Sequence, residues 1–309
     1  MDQQRPEGGG GTDAVLVMIQ GPDRAHADPT RALRTADAYH PQVLVNDLGI
    51  TRGDGIFEVV GALGARPQAL AAHLERFTRS ARLMDLPAPD HAVYRAAVQQ
   101  SLDLLARRHP AAELSCRFLM TRGQEYPPGP TAPTGWAVAT LAADHSAART
   151  RGLRVVTVDR GLPRDVMATA PWLLAGAKTL SYAVNRSVLR EAHRRGADDT
   201  LLVSSDGWVL EGPSSSLLVV LDGVVVSPPA EDGVLPGTTQ ADAFRWLAGS
   251  GIATCQRSVR VEELAGARAA WLASSSRLAA PVRELDGRVL PVDAELTAAL
   301  NHHLLHRDG

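Results

Sequence analysis

The sequence predicts an α+β chain in two domains, mixed helix and strand in the first half and strand-rich, barrel-like in the second. Three observations predict it. A length of 309 residues suggests two domains at roughly 150 residues each. In the first half, two segments with apolar residues at helical spacing, 69–84 and 91–108, lie among strand-like runs. The second half carries many short apolar runs parted by Asp-Gly turns and few strand–helix–strand units, which argues against a doubly wound sheet.

In order along the chain, residues 1–13 are polar and Gly-rich and read as a disordered leader. The run AVLVMIQ (14–20) is the first expected strand, and the Arg/Asp/Ala-rich stretch 21–39 a loop with some helix. Residues 43–46 resume an extended pattern, GITRGDG (49–55) is a glycine-rich tight turn, and 56–61 is strand-like. After the two amphipathic helices come strands at 115–121 and 135–141. The small, charged stretch 143–153 is the expected linker between a small domain, 14–142, and a larger one, 154–309. The larger domain opens with a strand at 154–159 and a helix at about 177–195. A hairpin follows, 200–204 with 208–211, turning at Ser205-Asp206-Gly207. Strands 216–221 and 224–227 flank Asp222-Gly223, a helix spans 239–250, and another turn sits at Asp286-Gly287. There are no internal repeats.

Composition excludes several classes of function. With 32 Lys+Arg against 34 Asp+Glu, the net charge of −2 gives no footprint for nucleic acid. No run approaches the roughly 18 apolar residues of a membrane span, and the start lacks the basic-then-apolar pattern of a secretion signal. The expectation is a cytoplasmic enzyme acting on a small molecule. Cys116 and Cys255 offer neither a disulfide framework nor a metal pair. His302, His303 and His306 form a terminal cluster without further ligands, a weak metal signal. Residues 8–11 (GGGG) lack the strand and GK[ST] ending of a phosphate loop, and Ala177 spoils any such reading of the lysine that follows it.

That lysine stands out. Of the 32 basic residues, Lys178 is the sole lysine and 31 are arginine. A GC-rich coding bias exchanges surface lysine for arginine freely, but an amine that must turn neutral and attack a carbonyl cannot be exchanged. Survival by chance is the competing reading, and the surroundings decide. Lys178 follows an apolar approach at an expected helix start, where desolvation would lower its pKa. Glu211, at a strand end, is placed to keep the pyridine nitrogen of pyridoxal phosphate protonated. LPGTT (235–239) puts Gly237, Thr238 and Thr239 at a helix N-terminus, a natural phosphate seat. Ser274, Ser275 and Ser276 could close that cup or form a plain polar turn. His73 and Arg76 share a helix face. Arg76 either neutralises phosphate or makes a surface pair, and His73 reads as a packed helix residue.

Five blocks in order, GITRGDGIFEVV, HLERFTRSARLMDLP, AGAKTLSYAVNRS, DGWVLEGPSSSLL and LPGTT, resemble the fold-type IV pyridoxal-phosphate enzymes over residues 44–290. That family includes branched-chain and D-amino acid aminotransferases and aminodeoxychorismate lyases. PWLLAGAKTLSYAVNR and GADDTLLVSSDGWVLEGP look most like its actinobacterial lyases. The resemblance implies a small N-terminal α/β sandwich, a larger C-terminal strand-rich pseudo-barrel, and a homodimer. It implies that Lys178 is the Schiff-base lysine and proton shuttle and that Glu211 partners the pyridine nitrogen. Arg76, Thr238, Thr239 and Ser275 become phosphate ligands, and Arg122 becomes the holder of a substrate carboxylate unless it pairs with Glu125. Ser275 replaces a usual threonine and Ser216 a frequent asparagine. Ala183 stands where branched-chain enzymes carry tyrosine, a role that Tyr182 does not simply inherit, which weighs against that activity. The implied reaction converts 4-amino-4-deoxychorismate to 4-aminobenzoate and pyruvate, the alternative being transamination of D-amino or branched-chain L-amino acids. The tripeptide Arg52-Gly53-Asp54 spells an adhesion signal by coincidence and reads as a turn near the active site.

Overall fold

Alternation along the early strands builds the first half. The structure, a computed structural model, describes residues 13–126 and 132–307, so the expected leader lies outside the described residues except for Asp13. Strands β1 (Ala14–Ile19), β2 (Leu33–Ala36), β3 (Gly55–Leu63), β4 (Arg66–Pro67), β5 (Glu113–Thr121) and β6 (Thr134–Leu141) form an antiparallel sheet in the order β2-β1-β6-β5-β3-β4. Between them come α1 (Leu48–Thr51), α2 (Leu70–Leu83) and α3 (His91–Ala106). Alternate residues of β3 and β5, among them Ile56, Val60, Cys116, Phe118 and Met120, turn one face toward α2 and α3. Phe77 meets Tyr94 and Phe118 edge to face there, at 4.9 and 5.1 Å between ring centres. α3 starts where Asp90 caps it, accepting from Val93 N at 2.9 Å.

The second half contains α4 (Ser146–Arg151), β7 (Leu153–Asp159), α5 (Val166–Thr169), α6 (Ala183–Arg194), β8 (Asp199–Val203), β9 (Trp208–Val209), β10 (Ser216–Leu221) and β11 (Val224–Ser227). After these come α7 (Thr238–Gly249), β12 (Thr254–Gln256), β13 (Val259–Arg260), β14 (Ala270–Ser274), β15 (Leu278–Leu285), β16 (Arg288–Val289) and α8 (Ala294–His306). Its ten strands run β12-β11-β10-β14-β15-β7-β8-β9-β13, with β16 on β15. The path begins on β12 and ends on β13, segments separated in the chain by residues 257 and 258 alone, so the sheet curls back on itself. Leu217, Val219, Ala270 and Leu272 fill its interior, while Leu218 and Trp271 turn outward beneath α7 and α8 with Leu300 and Leu304. Burial on both faces is why these strands read as continuous apolar runs. Both residues of Asp222-Gly223 and of Asp286-Gly287 take positive φ, the hairpin geometry that Asp-Gly favours. Among the described residues no helix is long and apolar enough to cross a membrane.

Four local expectations are corrected. Residues 33–36, expected within a loop, form β2 because β1 offers a free edge. Residues 43–46 form no strand: Val45 is 86% exposed, and the chain meets a neighbouring segment at Asn46, whose carbonyl accepts from Glu125 N at 2.9 Å. The 49–55 turn contains α1, capped by Asp47, which accepts from Gly49 N at 2.8 Å. The helix expected at 177–195 begins at Ala183, leaving Lys178 ahead of it. The segment carrying the lysine is claimed by β3: Phe57 N donates to Lys178 O at 3.1 Å, and Leu180 N to Gly55 O at 2.8 Å. Tertiary strand pairing overrides local helix propensity there. Within 143–153, α4 carries Arg149, which grips Glu113 of the first sheet at 2.8 and 2.7 Å and donates to the carbonyls of Ser276 and Arg277.

Candidate active site

Lys178 is fixed at its backbone before its amine is placed. Besides the β3 contacts, Lys178 N donates to Ser80 Oγ at 3.1 Å. The amine lies 4.7 Å from the centre of the Phe57 ring and 6.0 Å from that of Tyr182, which meets Phe57 edge-on at 5.4 Å. Burial among these rings, aided by the Arg76 charge, pulls the Lys178 amine down from 10.5 to about 8. Tyr182 and Asn185 both donate to Pro213 O at 2.7 Å, which ties the lysine segment to the strand end carrying Glu211.

Glu211 lines a cavity of about 400 Å³ together with Arg76, Ser216, Pro236, Gly237 and Thr238. Its Oε1 accepts from Leu235 N at 3.1 Å. Burial pushes this carboxyl up from 4.5 to about 7, so it readily shares a proton with a ring nitrogen. Glu211 and Lys178 feel each other's charge.

The third part is a polar cup built on a buried carboxylate. Glu58 sits fully buried at a core-facing position of β3. Its Oε1 accepts from Arg76 Nε at 2.8 Å, and its Oε2 from Arg76 Nη2 at 2.7 Å and His73 Nδ1 at 2.8 Å. Burial alone would raise this carboxyl, but the Arg76 charge and hydrogen bonds, with His73, hold it well below the carboxylate range. An ionised Glu58 can only accept, so His73, which burial keeps neutral, carries its proton on Nδ1 and donates it in the hydrogen bond to Oε2. His73 Nε2 is therefore an acceptor, 3.1 Å from both Thr238 Oγ1 and Ser275 Oγ. Arg76 Nη1 donates to Pro236 O at 2.9 Å, and Thr239 Oγ1 lies 3.5 Å from Ser275 Oγ. Among the described residues no side chain caps α7, so its first N–H groups have no capping partner beside Thr238 and Thr239 of the cup. A Cβ on Gly237 would stand 2.2 Å from Ser216 Oγ, so the approach requires glycine. The structure thus brings Arg76, Thr238, Thr239 and Ser275 together. An uncapped helix end with a cation and hydroxyls, a carboxyl that shares a proton and an amine of lowered basicity fit the three polar parts of pyridoxal phosphate.

Arg122 is held at the turn before β3. Its Nε and Nη2 meet Asp54 at 2.6 and 3.3 Å, and Nη2 and Nη1 donate to the carbonyls of Met84 and Asp85 beyond α2. Glu125 pairs with Arg52 instead. Gly53, at φ +68°, lets this turn close on the lysine segment, since a Cβ there would meet Ser181 Oγ at 2.7 Å. Sequence reasoning missed Arg117, on the face of β5 opposite the helices. Its guanidinium lies 5.8 Å from the Phe57 ring centre. It also missed Glu58 and set His73 aside. A charge inside the apolar run GIFEVV, ahead of His-x-x-Arg on the next helix, was the available signal. His303 stacks on Trp246, His306 bonds to His302 O, and no metal cluster occurs among the described residues.

A profile of the amino-transferase class IV family matches residues 55–285. The chain is 42% identical over 259 residues to the bifunctional aminodeoxychorismate lyase / D-amino acid transaminase of Mycobacterium tuberculosis, covering 81% of this chain and 88% of that protein. A fold IV transaminase from Curtobacterium pusillum superposes with a TM-score of 0.91 at 48% identity, covering 96% of this chain and 100% of that one. The PLP-bound form of a hypothetical aminotransferase from Mycobacterium tuberculosis gives 0.86 at 38% identity, with coverage of 95% and 99%.

Proposed function

Because the chain belongs to the class IV aminotransferase family, whose cofactor is pyridoxal phosphate, we propose that it is a lyase releasing pyruvate from 4-amino-4-deoxychorismate to leave 4-aminobenzoate. The cofactor reading is carried by a buried amine lowered to about 8 and a buried carboxyl raised to about 7 that feel each other's charge, and the lyase activity named for the 42% identical relative supports the choice of reaction. Bound pyridoxal phosphate supplies an electron sink for the pair left when a substrate C–H bond breaks. Lys178 Nζ holds the cofactor covalently between turnovers and takes the C4 proton of the substrate. Glu211 keeps a proton at the ring nitrogen. Arg76, Thr238, Thr239 and Ser275 hold the phosphate, with His73 and Glu58 fixing their orientation. Arg117, a cation beside Phe57 with no ion pair among the described residues, is assigned the substrate carboxylate, and Arg122 the structural task of pinning the 48–55 turn to the end of α2. Loss of the enolpyruvyl group makes the ring aromatic, a driving force transamination lacks.

Transamination of D-amino acids is the second reading, favoured by the 48% identity to a transaminase and by the double activity named for the 42% relative. The first proton transfer to Lys178 is common to both. A branched-chain L-amino acid is the weaker variant, since Ala183 occupies the tyrosine position and the Tyr182 hydroxyl is spent on Pro213 O. The test is pyruvate release from aminodeoxychorismate by purified holoenzyme without any 2-oxo acid, beside a panel of D- and L-amino acids. Pyruvate supports the lyase. No pyruvate, with bleaching of the yellow form by D-amino acids, leaves the transaminase. A homodimer is proposed on the exposed Trp172, Leu173 and Val184 flanking the lysine segment, to be checked by light scattering.

A further inference from the structure

The residue after α8 turns back into the protein. Arg307 is 7% exposed. Its Nη1 donates to Asp242 Oδ2 at 2.8 Å and its Nη2 to Thr239 Oγ1 at 3.3 Å, while Nε is buried with no partner among the described residues. Asp242 neutralises it only in part, because the other carboxylate oxygen pairs with Arg245. A guanidinium so placed is costly, and burial pulls Arg307 down to about 10. A tail residue held under those terms needs a compensating anion nearby. The neighbouring surface is the first turn of α7, and Thr239 lies 3.5 Å from Ser275 in the polar cup.

We propose that Arg307 is a positioning residue for the cofactor phosphate, acting through Thr239. Thr239 Oγ1 accepts from Arg307, so its own proton is directed away from the guanidinium and into the cup. The charge behind the hydroxyl strengthens that donor toward a dianion. The C-terminal helix thereby clamps the cofactor without touching it. This rests on the cofactor reading above.

The test compares pyridoxal phosphate with pyridoxal, which lacks the phosphate, by absorbance titration of apoenzyme. In the wild type the phosphate should tighten binding strongly. R307Q should weaken pyridoxal phosphate by about tenfold, the scale of one charge-assisted contact, and leave pyridoxal unchanged. R307K, which keeps the charge and loses the fork, should fall between and serves if R307Q does not fold. T239V should weaken the phosphate form too, and R307Q/T239V should cost less than the two single effects combined. Equal loss for both ligands, no loss in R307Q or R307K, or full additivity would overturn the role of Arg307. A wild type binding pyridoxal and its phosphate equally would instead overturn the cofactor reading.

Discussion

Replacing Glu58 by glutamine keeps the shape of the side chain and removes its charge. In the wild type this fully buried carboxylate takes three charge-assisted hydrogen bonds, two from Arg76 and one from His73. E58Q leaves Arg76, 10% exposed, without its counter-charge. Losing one partner of a buried pair costs about 3–5 kcal/mol, and three charged contacts partly retained by the amide give a similar size. The sign with pH follows from the depressed carboxyl. Its stabilisation is fully present above the ordinary value of 4.5 and is lost as pH falls toward the folded value. Urea unfolding of apoenzyme should therefore show E58Q less stable by about 3–5 kcal/mol at pH 7, with the gap shrinking below about pH 4.5. Pyridoxal phosphate should return part of the deficit, because its phosphate supplies an anion beside Arg76. E58Q within about 0.5 kcal/mol of wild type at pH 7, or a gap indifferent to acidification, would mean that Glu58 is not held as a buried carboxylate by Arg76 and His73.

Apoenzyme should bind pyridoxal phosphate covalently at a rate rising about tenfold per pH unit and levelling near 8, because the neutral amine is the attacking form. Levelling near 10.5 would mean that Lys178 is an ordinary lysine. G237A should lose about 1–3 kcal/mol from the overlap of its Cβ with Ser216 Oγ, and S216G should restore most of it in thermal melts. R117A should raise KM for a carboxylate substrate by about 10–100-fold with little change in melting, the loss of one charged contact. R122A should lower stability by about 1–2 kcal/mol and leave KM within about twofold, since the contacts to Asp54 and to two carbonyls at the end of α2 are structural.

Much of this fold is legible in the sequence. The two long helices of the first half and the hairpin at Asp222-Gly223 follow from periodicity and turn chemistry, which are local. What failed was non-local. β2 exists because β1 has an edge to offer, and Lys178 is unwound from the helix after it because β3 takes its carbonyl. In the cup, the hydroxyls and Arg76 were visible as residue types near a helix start. Glu58 was hidden because charge in a strand reads as solvent-facing, and only the return of α2 onto β3 shows it facing His73 and Arg76. Arg117 was one arginine among 31, singled out only by the ring beneath it. Arg307 was joined to Thr239 only by the packing of α8 on α7.

The central claim is a covalent bond between Lys178 and the cofactor aldehyde. Borohydride reduction of the yellow holoenzyme, digestion and mass mapping test it directly, and the sequence offers no other lysine to carry the tag. One reduced adduct is expected, on the peptide containing Lys178, and none in K178A. An adduct absent from that peptide, or K178A turning over at the wild-type rate, would contradict it.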